Sequence, residues 1–566
     1  MLLICISWLY VLFTVVNLGV IMDKITRSTS DDVVIYSFKG LFITTILASC
    51  WAVFGRINWE FHTVLLLLNV AVFLKHQPEI KAIYQSFYKN ISTLPRTLAL
   101  FLGINVLLIS AQCASIPFLI DNETYYIQTI KWLNEYGLVK GLANLHIFFG
   151  QTSGWHIAQS AFNFSFLYSN FNDLSGFCLV LGNLFAIQKL NAFFTNHTKT
   201  YLIVGLLPLA NVLLFQFISA PSPDIAVYII SFVVFFYFIE NFKNGSIETF
   251  KTIVILVLLM LYCKPTSFLM LLLPLILLLI HFKTLSNQLF SSFTMAVLIL
   301  GLYSTKNTIL TGYPLFPLTG WDWNTYDFKV PRELVDFYFN EKRMYRFFLT
   351  QEEYQSLSFT QKCAKWFSMN TVNGLFNGLS VLLVVTIPWF IKKFVPQKAF
   401  WWLYALMIVQ LSVLLMTSPQ YRFFIHFNLF FAFALTATVV KSKKVSIPLL
   451  YLSILPTIIT LFFSVNYSRL THNQLIWKNS TFSKRNTVFP YQNSKLKTTF
   501  HSVKNGNLTY YSPDSNTFFW ANGNGALPCV NEVQLNYFGT RFHYVPQLRS
   551  KNIKDGFYAK KWFADD

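Results

Sequence analysis

Residues 118–126 read Phe-Leu-Ile-Asp-Asn-Glu-Thr-Tyr-Tyr. An apolar run ends at Ile120, and two acids, Asp121 and Glu123, follow at once. Hydrocarbon cannot solvate a carboxylate, so an acid placed where an apolar helix meets water needs a reason. A polar, aromatic stretch then runs from Trp132 to Trp155 and contains Gly-Leu-Ala-Asn-Leu-His at 141–146. The pattern marks a chain leaving a bilayer to form a large loop.

Apolar runs recur on both sides of this stretch, at Leu2–Val20, Leu202–Ser219, Ile225–Ile239, Ile253–Tyr262 and Val445–Val465. The chain is 54% hydrophobic and 12% charged, where a soluble domain is about a quarter charged. A helix spanning a bilayer needs about 20 apolar residues. The sequence predicts an all-α polytopic membrane protein with about 14 transmembrane helices. They fall at 2–21, 34–54, 61–75, 97–117, 173–192, 200–219, 223–242, 249–263, 266–281, 288–304, 372–391, 399–417, 421–440 and 446–465. The first of these lacks a basic leader and a small-residue cleavage site, and is read as a span rather than a signal peptide.

The net charge of +20 does not point to nucleic acid. The basic residues sit in short loops between apolar runs: Lys75, Lys81, Lys89 and Arg96; Lys243 and Lys251; Lys283; Lys392, Lys393 and Lys398; Lys441, Lys443 and Lys444. All five groups can be cytoplasmic at once if the N-terminus is outside. Residues 118–155, 305–370 and everything from 466 then face outward. Parity requires that 156–171, with His156, Gln159, Asn163 and Asn170, does not span; it is predicted to be a helix lying at the outer interface.

The organisation is therefore a multi-span region, 1–465, with outer loops at 118–172 and 305–370, and a small C-terminal domain, 466–566. The second loop holds Gly-Tyr-Pro-Leu-Phe-Pro at 312–317, an extended stretch, and a charged helical segment near Arg332–Phe348. In the tail, Leu508–Tyr511, Phe518–Trp520 and Val533–Tyr537 alternate with turn signals, which predicts mixed or mainly β structure. Its Gly523-Asn524-Gly525 has no strand–helix context and reads as a turn. None of the seven cysteines shows metal-ligand spacing. Cys363 and Cys529 alone lie in polar regions, and two free thiols are favoured over a disulfide.

Polar residues gather at the outer ends of the predicted helices. They are Asp121 and Glu123, Asp224 in Ser-Ala-Pro-Ser-Pro-Asp, Lys264 in Cys-Lys-Pro-Thr-Ser, and Arg422 in Ser-Pro-Gln-Tyr-Arg. Cations hold a phosphate, and a carboxylate takes a proton from an attacking hydroxyl. Each has a structural alternative. Asp121 and Asp224 are placed to cap helices, Glu123 is a first-turn acid, and Lys264 is placed to snorkel. Arg422 is an interface anchor or the partner of a buried acid. His146 is a loop-bonding or substrate-contacting residue. Tyr125, Tyr126, Trp132 and Trp155 fit an interfacial aromatic belt, and Trp321 and Trp323 fit a belt or a sugar-stacking face. There is no Gly-rich phosphate loop, no Asp-x-Asp and no His/Cys metal cluster, which argues against a nucleotide-sugar donor.

Asp121-x-x-x-Tyr125-Tyr126-x-Gln128-x-x-Lys131-Trp132, followed by Glu135-Tyr136-Gly137-x-Val139-x-Gly141-Leu142-x-Asn144-Leu145-His146, resembles a group of bacterial membrane proteins of GT-C type, as do Gly312–Pro317 and Leu527-Pro528-Cys529. The GT-C superfamily comprises multi-span glycosyltransferases that use polyprenyl-phosphate-linked sugars. The resemblance implies an inverting glycosyltransferase of the cell envelope, with its site at the periplasmic face of the bacterial inner membrane and both the N-terminus and the C-terminal domain periplasmic. It implies Asp121 as base, with Glu123 as the alternative, and Lys264 or Arg422 at the lipid phosphate. Asp224, His146, Tyr126 and Trp132 are the further candidate substrate contacts. The expected partners are a polyprenyl-phosphate sugar lipid and a glycan, lipid or protein acceptor. No cofactor is named, and a divalent metal is left open. The acids here are separated by Asn122 and follow the fourth helix rather than the first, so the choice of base stays open. The alternatives are an O-antigen-type polymerase or ligase, and a transporter or lipid flippase.

Overall fold

The computed structural model describes residues 1–561 apart from 31, 170–171, 346, 472, 480, 492–493 and 515–516; for 341–343 and 345 it describes the backbone only. About 70% of the chain is helical, with a small C-terminal region of two β-sheets.

Five helices precede the first loop: α1 (Leu2–Thr26), α2 (Val33–Phe54), α3 (Trp59–Lys75), α4 (Gln77–Ser92) and α5 (Arg96–Cys113). Asp32 and Asn58 cap α2 and α3 through their side chains, satisfying N–H groups that a helix leaves unpaired. The α1–α2 contact is made by small residues. A Cβ on Gly40 would stand 1.7 Å from the Val15 carbonyl oxygen, so only glycine lets the two backbones approach this closely.

The loop carries α6 (Ile127–Glu135) and α7 (Gly154–Ser160). Then follow α8 (Leu174–Asn196), α9 (Lys199–Phe217), α10 (Pro223–Asn244), α11 (Ile247–Cys263), α12 (Pro265–Ile280) and α13 (Phe282–Thr311). The second loop holds α14 (Arg332–Tyr345), α15 (Gln351–Ser356) and α16 (Phe359–Phe367). The bundle ends with α17 (Thr371–Phe394), α18 (Lys398–Thr417), α19 (Ile425–Val439) and α20 (Lys443–Phe462).

All fourteen apolar segments fall on helices. Ten, among the described residues, are long and apolar enough to cross a membrane; α12 and α19 are shorter. The basic segment 75–96, expected as a loop, is mostly α4. Its Ile80 is fully buried, and Ile83, Tyr84, Phe87 and Ile91 pack on the core.

The expectation for 156–171 is corrected. Asn170 and Phe171 lie outside the described residues, and the helix is the short α7, buried at every position. It packs among α2, α6, α10 and α11 rather than lying at a surface. Its polar groups find partners inside. Ser153 caps it, Gln159 Nε2 donates to Asp173 Oδ1 at 2.9 Å, and Asn163 Nδ2 donates to Asn134 Oδ1 at 2.9 Å. Amides that donate to partners inside the protein do not mark a wet face, although His156 Nε2 and Asn163 Oδ1 have no partner among the described residues.

The tail forms two antiparallel hairpins, β1 (Phe500–Asn505) with β2 (Leu508–Pro513) and β3 (Tyr544–Leu548) with β4 (Phe557–Lys561). Val533–Tyr537, expected as a strand, belongs instead to helix α21 (Glu532–Phe542). Asn531 Oδ1 accepts from the Val533 N–H at 3.0 Å, and this cap outweighs the β propensity of the valine. All seven cysteines are free thiols.

The tail shares a core with the first loop. Leu508, Tyr510, Val530, Leu535 and Phe557 pack with Trp132, Leu142, Leu145 and Phe149. The Gly523-Asn524-Gly525 turn docks on α6, where Gln128 Nε2 donates to the carbonyls of Gly523 and Gly525, both at 3.0 Å. Gly141 has a φ of +63° and would place a Cβ 2.2 Å from the Phe557 carbonyl oxygen, so this contact between loop and tail also needs glycine.

Candidate functional site

Four helix ends bring four charged residues into one row. Asp121 stands at the N-terminus of a π-helical turn, Asn122–Tyr126, and makes no side-chain cap. Its Oδ2 accepts from Arg422 Nη1 at 2.6 Å. Arg422 lies in a short 3₁₀ turn, Tyr421–Phe423, just before α19. The same Nη1 is 4.0 Å from Asp224 Oδ2 in the first turn of α10, and Asp224 Oδ1 pairs with Lys264. Lys264 follows the last turn of α11, where Pro265 prevents the helix from continuing. The order is carboxylate, guanidinium, carboxylate, ammonium.

Exposure differs between the two halves of the row. The Asp224 side chain is 2% exposed, Lys264 15%, Asp121 22% and Arg422 26%. The Asp224–Lys264 end is closed, and the Asp121–Arg422 end is open. Capping accounts for neither acid. Ser222, not Asp224, caps α10 through the Asp224 N–H. Burial acts to lower the Arg422 pKa, the Asp121 carboxylate more than offsets it, and the net shift is upward.

Arg422 is held from several sides. Its Nε donates to Gln420 Oε1 at 2.6 Å, its carbonyl accepts from the Tyr228 hydroxyl at 2.6 Å, and it lies 5.4 Å from the centroid of the Phe423 ring. Lys264 lies over the same ring, at 4.2 Å. Tyr228 lies four residues after Asp224, on the same face of α10, so a helical wheel would have singled it out. Gln420 is two residues from Arg422 in the Ser-Pro-Gln-Tyr-Arg stretch.

The row borders a cavity of about 490 Å³. Asp121, Tyr125, Gln420 and Arg422 line one part of it, and Phe148, Phe337, Tyr338, Phe519 and Trp520 line another. The aromatic residues come from the first loop, α14 and the tail. An adjoining groove of about 470 Å³ shares Phe118, Gln216 and Tyr421 with it and continues along Val212, Leu213, Val372 and Tyr467. A charged row thus opens into a mostly apolar channel.

The other candidates separate. Tyr126 is buried, and its hydroxyl lies 3.5 Å from Asp121 Oδ2. Glu123 is turned to the tail. Its Oε2 accepts from Ser494 Oγ at 2.5 Å and its Oε1 from the Lys495 N–H at 2.8 Å. Burial raises the Glu123 pKa, partly offset by these bonds. His146 is buried behind Phe148 and Trp520; its Nδ1 accepts from the Phe148 N–H at 3.1 Å. Trp132 is buried against Phe557 in the core shared by loop and tail. Trp321 and Trp323 are exposed and stacked on each other. His156, on α7, contacts the ring of Tyr126 at 4.8 Å. Among the described residues, no three His, Cys, Asp or Glu side chains are grouped to hold a metal ion.

No curated protein and no solved structure matches this chain. A family model described as a domain of unknown function (DUF8201) matches residues 1–429, which include all four residues of the charged row and leave out the tail; the chain belongs to that family.

Proposed function

We propose that this protein is an integral membrane glycosyltransferase of GT-C type. It moves a sugar from a polyprenyl-phosphate-linked donor to a glycan, lipid or protein acceptor at the periplasmic face of a bacterial inner membrane. The observation that carries this reading is the meeting of Asp121 and Arg422, 301 residues apart in sequence, at the rim of a cavity that continues into an apolar groove.

The chemistry assigns a task to each part. The acceptor hydroxyl attacks the anomeric carbon, and the bond from that carbon to the phosphate oxygen breaks with inversion. Asp121 takes the hydroxyl proton. The leaving lipid phosphate gains negative charge and is met by Arg422. Of the five N–H donors of a guanidinium, the side-chain hydrogen bonds of Arg422 engage only those to Gln420 and Asp121 among the described residues. Asp224 and Lys264 fix the arginine's position through a closed ion pair. The groove along Phe118, Val212 and Leu213 suits the first isoprenoid units, and the aromatic wall at Phe519 and Trp520 suits a sugar face.

The test is lipid-linked glycan analysis in a strain lacking the protein, complemented with the wild type or with Asp121→Asn. Accumulated donor and missing product, restored by the wild type but not by Asp121→Asn, is the expected result. A variant that restores transfer fully would remove the proposed base.

A further inference from the structure

A second cavity, of about 560 Å³, lies at the other end of α10 and α11. Tyr237, which lines it, follows Asp224 by 13 residues on α10, which is about 20 Å along the axis. Glu248 and Thr249 line it from the first turn of α11, whereas Lys264 follows the last turn of that helix. The two cavities are thus separate sites.

Ligand pockets are mostly apolar, and this one is not. Hydroxyl and amide side chains from the α1–α2 turn, the α4–α5 turn, α8 and α11 surround it, with Ile35 and Leu94 as its only aliphatic lining residues among those described. Several of its polar groups are already engaged. Asp32 Oδ1 accepts from the Val34 N–H at 2.9 Å, Glu248 Oε2 from the Thr29 N–H at 3.0 Å, and Ser30 Oγ from Lys39 Nζ at 2.8 Å.

Lys189, on α8, stands apart. Its Nζ is held 4.7 Å from the ring centroids of both Phe185 and Phe236. Asp32 and Glu240 act on it through space, but among the described residues no carboxylate comes within 4.0 Å of it. An ammonium fixed by two rings offers a point charge to an anion. The volume exceeds that of a bare anion, and the hydroxyl-rich wall complements a polyol.

We propose that this cavity binds a phosphate ester bearing hydroxyl groups, with its phosphate on Lys189 and its hydroxyls against the Thr, Ser and Asn side chains of the wall. Such a group is carried by a phospholipid headgroup of the glycerol type or by a free polyol phosphate. The proposal does not depend on sugar transfer at Asp121.

The test uses the full-length protein in nanodiscs. Binding of sn-glycerol 3-phosphate is measured by calorimetry, and retention of phosphatidylglycerol against phosphatidylcholine by native mass spectrometry. Binding of at least one probe is expected, weakened about tenfold or more by Lys189→Gln. Asp121→Asn should bind as the wild type does. Binding of the free ester assigns a soluble ligand; selective retention of the lipid alone assigns a headgroup. If the wild type takes neither probe, or if Lys189→Gln binds like the wild type, the cavity is a water-filled vestibule and the proposal fails.

Discussion

Each end of the bundle holds an ion pair near helix ends, and the two are built differently. Lys39 on α2 meets Asp23 on α1 at 2.5 Å, with side chains 0% and 3% exposed. Its ammonium donates to Asp23, Ser28 and Ser30, which uses all three of its protons. The Asp121–Arg422 pair is about a quarter exposed and leaves guanidinium donors facing a cavity. A saturated, enclosed pair can only hold the fold in register. An open pair with donors to offer can also take a ligand. Charge buried between helices is costly in both places, and saturation of the donors is what tells the two uses apart.

That contrast can be broken most directly at its two acids and their cations. Asp121→Asn keeps an acceptor for Arg422 but loses the base. Transfer should fall by about 10²–10⁴-fold, with the melting temperature in detergent little changed. Lys39→Met should do the reverse. It leaves Asp23 as an uncompensated buried charge, a loss of about 3–5 kcal/mol, read as poor accumulation and a lowered melting temperature. Adding Asp23→Leu to Lys39→Met should recover most of the loss, because an apolar pair of similar volume replaces the ions. A Lys39→Met protein that accumulates normally yet cannot transfer sugar would put the functional pair at the wrong end.

The sequence made the helices legible because apolar length is a local property, and all fourteen segments fall on helices. It also brought Asp121, Asp224, Lys264 and Arg422 to one level, since each sits where an apolar run meets a Pro-rich or polar break. It could not say which of them would touch. It favoured Asp121 as base but left Glu123 open, and their difference comes from the tail, which binds Glu123 through Ser494 and Lys495. The register between residues 123 and 494 has no signature in either segment. The same holds for α7 and the turn after it, whose Gln159 and Asn163 looked like a wet face. Only Asp173 and Asn134, brought in by the fold, make them interior.

The tail clamp at Glu123 sharpens the comparison from a third position, one where an acid is buried with neutral donors and no described cation pairs with it. Glu123→Leu removes both acceptor oxygens, so the Ser494 hydroxyl and the Lys495 N–H lose their buried partner. The expected loss is about 1–3 kcal/mol, local to the tail. Limited proteolysis reads it as faster cleavage near 494–500, with cleavage in the helical bundle unchanged. Transfer by this variant should drop far less than in Asp121→Asn. Equal losses would mean that the two acids work as one site.

The smallest effect concerns the two histidines of the first loop. Burial pushes both the His146 and the His156 imidazole down to about 3. In each, Nδ1 accepts a backbone N–H, from Phe148 and from Ser153, which fixes the neutral tautomer with its proton on Nε2. An unfolded histidine titrates near 6.5. Between these values the unfolded chain binds more protons than the folded one, so stability falls as pH falls from about 6.5 toward 3. From pH 7 to pH 6 the loss is about 0.7 kcal/mol for each histidine. Asp173 works the other way. Burial raises its pKa to about 6, so it adds stability as pH falls from about 6 toward the ordinary carboxylate range. The useful quantity is therefore a difference. His146→Asn and His156→Asn, each with an amide oxygen to receive the loop N–H, should lose less melting temperature than the wild type on going from pH 7 to pH 6. Identical pH dependence in all three proteins would mean that protons reach these rings in the folded state, and that the first loop is wetter than its packing against Trp520 and Tyr126 implies.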